Sequence, residues 1–286
     1  VPPEGGEPLP VPLPPPGALG PDDRYVPAGW FWSGGDPGAL NGLPRRRSWV
    51  DGQVLRRFPV TNREYLAFLD ALVAAGREEE ALRHAPRERA GTVGEPGALI
   101  YGFDGERFFL RPDADGDVWD PEWPVFQVDW HGAAACAAWE AARTGQPWRL
   151  PGEIPWEKAA RGVDGRWFPW GDRFDASWAR TSHSHRGRAL PGVAGAPPVD
   201  ESVYGIRGLG GNVRDWCADG WRADGPPVVG GRVVDGPDGD AAGPYRVTRG
   251  GAWDSTPADA RAASRVRGAL GLRTNALGFR LSRPFP

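Results

Sequence analysis

The stretch YRVTRGGAWDSTPADARAASRVRGALGLRTNALGFRL, residues 245–281, carries a glycine-bearing motif at each end. Arg249-Gly250-Gly251-Ala252-Trp253 opens it, Gly278-Phe279-Arg280-Leu281 closes it, and the interior is loosely patterned. The two motifs read as strand ends and turns that anchor a bland segment. Such a frame suits an enzyme that hides reactive residues or a binding protein that displays a contact surface. The rest of the chain bears on which.

With 286 residues the chain is long enough for one large domain or two small ones with a sizeable core. Apolar residues at 40% and charged residues at 25% are ordinary globular usage. A net charge of -3 and a pI near 5.9 leave no electrostatic footprint for nucleic acid or an anionic membrane. Arginine supplies nearly all the positive charge, Lys158 being the only lysine, which reads as a GC-rich genome. Methionine is absent, a depletion that either heat tolerance or codon bias produces. No apolar run approaches the ~18 residues of a membrane span. Val1 to Pro16 lacks the pattern of a secretory signal and reads as a Pro-rich extended linker. The expected division is a tail over residues 1–24 and a domain over 25–286. The missing initiator Met suggests a chain cut from something longer, or processed. Cys136 and Cys217 sit in no C-x-x-C pair and read as two semi-buried thiols of a cytoplasmic protein.

YVPAGWFWSGG, from Tyr25, reads as a strand, and RRRSWVDGQVLRRFPV as a hairpin turning at Asp51-Gly52. TNREYLAFLDALVAAG is a helix with a Thr61/Glu64 capping box. A hairpin at Asp104-Gly105 follows, then PVFQV as a strand and a second helix capped by Asp129 and stopped at Gly145. IPWEKAARG is a short third helix with Pro155 in its first turn. From Asp164 to Arg249, Gly, Pro and Trp dominate, so aromatic side chains must supply buried area where regular elements are few. Two early helices and many short strands indicate an α+β fold; nothing alternates as a doubly wound sheet does.

RFPVTNREYLAFL, PVFQVDWHGAAACAAWEAARTG, WRLPGEIPWEKAARG, FPWGD, YGIRGLGGNVRDWC, VTRGGAW and GFRL, in that order, resemble the formylglycine-generating enzyme (sulfatase-modifying factor) family. The resemblance runs from about Tyr25 to Pro286. It implies a variant C-type-lectin fold with small mixed sheets, two main helices and long ordered loops. It also implies a choice of functions. Formylglycine-generating enzymes are copper-dependent oxidases, and other relatives form sulfur–carbon bonds with non-haem iron. Still others are attached to bacterial serine/threonine kinases as sensory modules, or are variable proteins of diversity-generating retroelements.

The oxidase holds Cu(I), a soft ion, between two thiolates. Counting back from Gly278, the family's two cysteine positions fall on Ala262 and Pro257, so copper chemistry is not expected. An iron site needs two convergent histidines and an acid. Of His84, His131, His183 and His185, only the last two, in TSHSH, offer a pair, on one face if that stretch is extended. No G-x-S-x-G elbow is present, and GLGGNV lacks the Lys-Ser/Thr of a phosphate loop. For calcium, the resemblance carries carbonyls onto Gly211 and Val213 and a carboxylate onto Asp215. Gly208 stands where a fourth, side-chain ligand is usual. A turn satisfied by hydrogen bonds from Asn212 and Asp215 reads equally well.

Trp253, Asp254, Ser255, Thr256, Ala258, Arg265, Arg267, Leu270, Leu272, Arg273 and Asn275 form no catalytic constellation. They resemble the solvent-facing positions that variable lectin-fold proteins use for ligand contact. The expectation is a non-catalytic module with residues 249–281 as its recognition surface for a protein or small ligand. Fusion to another domain at the N-terminus fits that expectation. The alternative is a metal-dependent oxidoreductase with its site relocated to His183 and His185.

Overall fold

The computed structural model describes residues 11–88, 97–113, 115–234 and 243–285. The first ten residues of the Pro-rich tail lie outside the described residues. Helix α1 (Asn62–Ala74) starts where the capping box places it: Thr61 accepts from the Glu64 backbone N–H, and the Glu64 carboxylate accepts from Thr61 N–H at 2.8 Å. Its apolar face, Tyr65, Phe68, Leu69 and Leu72, is buried. The chain breaks at Gly76 and resumes as a separate helix, α2 (Glu78–His84). Helix α3 (Trp130–Thr144) is capped by Asp129, which accepts from Gly132 N–H at 2.8 Å, and stops at Gly145 in the left-handed region, φ 66°. Helix α4 (Glu153–Arg161) holds Pro155 in its first turn.

The strands are β1 (Asp23–Val26), β2 (Gly29–Ser33), β3 (Arg46–Val50), β4 (Gln53–Arg56), β5 (Gly102–Phe103), β6 (Phe108–Phe109), β7 (Arg214–Gly220), β8 (Val228–Val229), β9 (Arg232–Val233), β10 (Tyr245–Arg249), β11 (Arg265–Ala269), β12 (Leu277–Gly278) and β13 (Ser282–Pro284). Among the described residues they form four small sheets, ordered β1-β4-β13, β11-β10-β7-β12, β2-β3-β9-β8 and β5-β6. The first motif ends β10, antiparallel to both β7 and β11; the second opens on β12, parallel to β7. One core lies between α1, α3 and the sheet of β7, around Tyr65, Phe68, Trp216 and Phe279; another surrounds Trp156, Leu209 and Val247.

Two local expectations fail. Asp51-Gly52 makes no hairpin: β3 pairs with β2, while β4 pairs with β1 and β13 in a different sheet. Partners from distant segments win over the local turn preference, and Gly52 is not in the left-handed region that preference would use. PVFQV forms no strand, only a bridge from Pro124 to Thr61, because Gln127 sits at φ +58°.

What frames residues 249–281 is charge burial. Glu153 and Glu157 of α4 are fully buried, as are Arg249, Arg265 and Arg280. Arg265 grips Glu153 through two bonds of 2.6 and 3.0 Å. Arg249 donates to Glu157 at 2.6 Å and to the carbonyl oxygens of Glu153, Ala262 and Ser264. Arg161 meets the other Glu157 oxygen at 2.8 Å. At the far end Arg280 pairs with Asp215 and donates to the carbonyls of Gly208 and Arg207. Removing one partner of such a buried pair strands the other charge. Glu157→Gln is therefore expected to lower unfolding free energy by about 3–5 kcal/mol in urea titration.

A pH profile of stability follows from the same burial. Burial pushes Glu157 up, but Arg249 and Arg161 outweigh it and hold the carboxyl below its ordinary value. Its contribution is present above the unfolded-state carboxylate range and is lost as acid protonates it. Burial instead raises Asp219 to about 6 and Asp200 to about 7. Their contribution is present at low pH and is lost as pH rises through those values. Melting temperature is expected to peak near pH 4, where Glu157 is ionised, to decline from there to about pH 7 as Asp219 and Asp200 lose their contribution, and to level off above. Asp200→Asn, which keeps one oxygen to accept from Gly210 N–H, should flatten the decline.

Candidate binding cleft

The second half of the framed segment closes one side of a cleft of about 570 Å³. Trp253, Arg273, Thr274 and Asn275 line that side; Trp119, Trp123, Phe126 and Gln127 line the other. Glu88, Asp113, Asp115, Asp117 and the loop Arg188–Pro191 complete it. The rings of Trp119 and Phe126 pack at a tilt of 32° with centroids 3.9 Å apart. Trp253 is held by its indole N–H, which donates to the Asn275 carbonyl at 2.7 Å, and by its backbone N–H, which donates to Asn212. The strained Gln127 donates its backbone N–H to Thr274, and its side-chain Oε1 is buried with no partner. A left-handed non-glycine residue with an orphaned acceptor carries a cost that structures tolerate chiefly at functional positions.

The acids differ in availability. Asp113 is committed, accepting from the backbone N–H groups of Asp115 and Asp117 and from the Trp119 indole. Asp115 and Asp117 share the Arg188 guanidinium, at 3.3 and 2.6 Å. The cleft therefore joins an aromatic wall to a carboxylate rim that already holds one cationic side chain.

The residues expected from the sequence divide into three groups. Trp253, Arg273 and Asn275 meet at the cleft. Asp254, Thr256, Arg267 and Leu272 are exposed, and Ala258 and Leu270 half-buried, outside it. Ser255 and Arg265 are corrections. Arg265 is fully buried against Glu153, and Ser255 is buried, its hydroxyl accepting from Ala252 N–H and its carbonyl from Ser182. Both serve the frame rather than a surface. Arg273 is half structural, donating to the Asp129 cap and to the carbonyls of Arg83 and Ala85. The sequence reading passed over Trp119, Trp123, Phe126 and Gln127, although the acid–aromatic alternation of DGDVWDPEWPVFQ was the available signal.

The chemical alternatives find little to work with. Ala262 is fully buried, Pro257 lies on the same loop, and no thiol replaces either. Cys136 and Cys217 are buried free thiols in other elements, with burial pushing both well above the ordinary range. TSHSH is not extended. Residues Ser182–Ser184 form a 3-10 turn, fixed by bonds between Thr181 and Ser184, so His183 and His185 do not share a face. His185 lies beside Arg180, which with burial lowers its pKa; that neighbour is a cation, not the acid an iron site needs. Among the described residues no three His, Cys, Asp or Glu cluster to hold a metal.

The calcium reading comes down to one atom. The Gly208 carbonyl and Asp215 Oδ2 both accept from Arg280, and the Gly211 carbonyl accepts from Val213 N–H at 3.0 Å. Burial raises the Asp215 pKa, Arg280 opposing it. Asp215 Oδ1 is the side-chain oxygen of this set that is buried without a partner. The donor set thus fits an internal guanidinium rather than a cage of six to eight oxygens.

A loop-rich α+β scaffold of the C-type-lectin-like kind, framed by buried arginines, thus presents a cleft beside Trp253. The chain belongs to the sulfatase-modifying factor enzyme 1-like domain family, whose profile matches residues 14–284. It is similar to a formylglycine-generating enzyme of Thermomonospora curvata, 30% identical over 255 residues, covering 80% of this chain and 81% of that one. It is also similar to the serine/threonine-protein kinase Pkn1 of Chlamydia trachomatis serovar L2, 28% identical over 260 residues, covering 91% of this chain and 38% of the kinase. The chain thus spans less than two fifths of that relative's length. In fold it matches Treponema denticola variable protein 1, with a TM-score of 0.63 and 20% identity, over 92% of this chain and 95% of that one. No helix among the described residues is long and apolar enough to cross a membrane.

Dialysis against EDTA is expected to leave the melting temperature unchanged. A fall of several degrees that Ca²⁺ reverses would show instead that Asp215 Oδ1 ligates the ion.

Proposed function

We propose that this protein is a non-catalytic recognition module, with the cleft between Trp253–Asn275 and Trp119–Gln127 as its ligand site. The observation that carries the proposal is the convergence of Trp253, Arg273 and Asn275 on an aromatic wall whose Gln127 Oε1 is buried and unpartnered. A pocket of this size, with four aromatic side chains among polar and charged ones, suits a small molecule or one or two side chains of a peptide. The ligand chemistry that matches is an apolar or aromatic body with a hydrogen-bond donor for Gln127 and a positive end for the carboxylate rim. Because buried ion pairs fix the frame, little ordering entropy is lost when the surface is used. Pro257 and Ala262 in place of the family's thiolates support the non-catalytic reading. The kinase relative supports a module attached to a larger chain as a sensory domain.

Two measurements test this. Incubation of the Cu(I)-loaded protein with a cysteine-containing peptide and oxygen is expected to give no aldehyde; formation of formylglycine would return the protein to the oxidases. A fragment library of aryl amines, read by ligand-observed NMR, is expected to give hits that Trp253→Ala abolishes. Hits that survive Trp253→Ala, or no hits at all, would remove the cleft as the site.

A further inference from the structure

The TSHSH motif, dismissed above as a metal site, borders a second cavity with an unusual charge balance. This cavity, about 510 Å³, is lined by Ala176, Ser177, Ala179, Arg180 and the run Ser184–Arg188, with Ala196 and Pro197, and no acid is among its lining residues. Its cations are Arg180, Arg186 and Arg188, with His185 beside them. Arg188 is already paired with Asp115 and Asp117. Arg180 is not. It is half-buried, its one hydrogen bond goes from Nη1 to the Leu190 carbonyl at 2.9 Å, and among the described residues no carboxylate reaches it. Burial lowers its pKa with no acid to oppose the shift. His185 Nε2 is also buried without a partner.

The guanidinium is held rigidly. It lies so close over Gly192 that a Cβ there would fall 2.4 Å from Arg180 Nε. Gly192 is locked in turn by Asn212, whose side-chain amide donates to the Gly192 carbonyl at 2.8 Å and accepts its N–H at 3.0 Å. The nearby hydroxyls are spent: Ser177 donates to Asp175, and Ser184 to the Ala179 carbonyl. A half-buried, pre-positioned guanidinium facing an acid-free cavity is a charge without a protein counter-ion. The missing partner must bring both negative charge and acceptor oxygens.

We propose that this cavity is an oxyanion site for a phosphoryl group, with Arg180 as the fixed fork, His185 Nε2 as a second contact and the exposed Arg186 closing over it. A planar guanidinium suits bidentate contact with phosphate oxygens. The volume exceeds that of the ion itself, so the phosphoryl group is carried on a small stem, either a phosphorylated side chain or a small phosphomonoester. The cavity borders the aromatic cleft through the shared Arg188, but its proposed contacts, Arg180, His185 and Arg186, line only this cavity, so the two sites are tested separately.

Isothermal titration calorimetry on the whole chain at low ionic strength tests the site, with inorganic phosphate as the first probe and sodium chloride as the control. The expected result is saturable one-to-one phosphate binding that Arg180→Gln weakens about tenfold or more, the scale of a charge-assisted hydrogen bond. Arg186→Ser alters an exposed residue, so it spares the fold, and it should weaken binding several-fold. Phosphoserine peptide and glycerol phosphate then separate the two sources: the tighter of them identifies the stem. Heat that does not saturate, or saturable binding that both variants leave unchanged, overturns the assignment.

Discussion

Two carboxylates one turn apart on a nine-residue helix hold this structure in register. Glu153 and Glu157 lie inside the protein, where neither would be tolerated unpaired. Each is met by an arginine from the C-terminal segment, Arg265 and Arg249 respectively, and Glu157 also by Arg161 of its own helix. Such pairs contribute little net stability relative to well-packed apolar side chains of the same size. What they do here is choose one arrangement. A guanidinium that must reach Glu157 and three backbone carbonyls can do so from a single position of β10 against α4. The glycines after Arg249 then let backbones approach: a Cβ on Gly251 would fall 2.4 Å from the Gly210 carbonyl, and one on Gly250 2.7 Å from that of Leu209.

With both ends fixed, the interior of the segment can be irregular without being loose. It is pinned at intervals by single contacts: Asp259 to Arg214 at 2.6 Å, Arg261 to Asp36 at 2.8 Å and Arg273 to Asp129 at 2.7 Å. Between the pins the side chains of Asp254, Thr256, Arg267, Leu272 and Asn275 are exposed. The blandness of the sequence there has a physical meaning. Outside β11, which pairs with β10, no periodic pattern is needed, because order there comes from a few long-range contacts.

This also explains which parts were legible beforehand. The capping box at Thr61, the Asp129 cap and the Gly145 stop are local devices, and each acts within a few residues. The Asp51-Gly52 turn is local too, yet strand partners from other segments overrode it, and sequence spacing carries no record of them. Ser255 and Arg265 were misplaced for a related reason. A polar side chain in a loop reads as solvent-facing, and only its partners, Ser182, Ala252 and Glu153, reveal otherwise. The cleft was half visible. Its Trp253 side sits beside a sharp motif, whereas Trp119 to Gln127 come from a segment more than a hundred residues away whose strain appears only in the backbone.

The frame and the chemistry of this family are separable. Buried pairs, close backbone approaches and aromatic packing build the scaffold; Ala262 enters it through its backbone carbonyl, which accepts from Arg249, and through its methyl group, and needs no thiol to do so. Ala262 fills its place as a small apolar residue among Trp156, Leu209 and Val247, its N–H satisfied by the Trp167 carbonyl at 2.8 Å. A thiol there would add one polarizable atom to a closed apolar cluster, and the frame around it would be the same. A fold shared by a formylglycine-generating enzyme, a kinase and a variable protein does not by itself assign a function, so function rests on the side chains of the site, here the cleft beside Trp253.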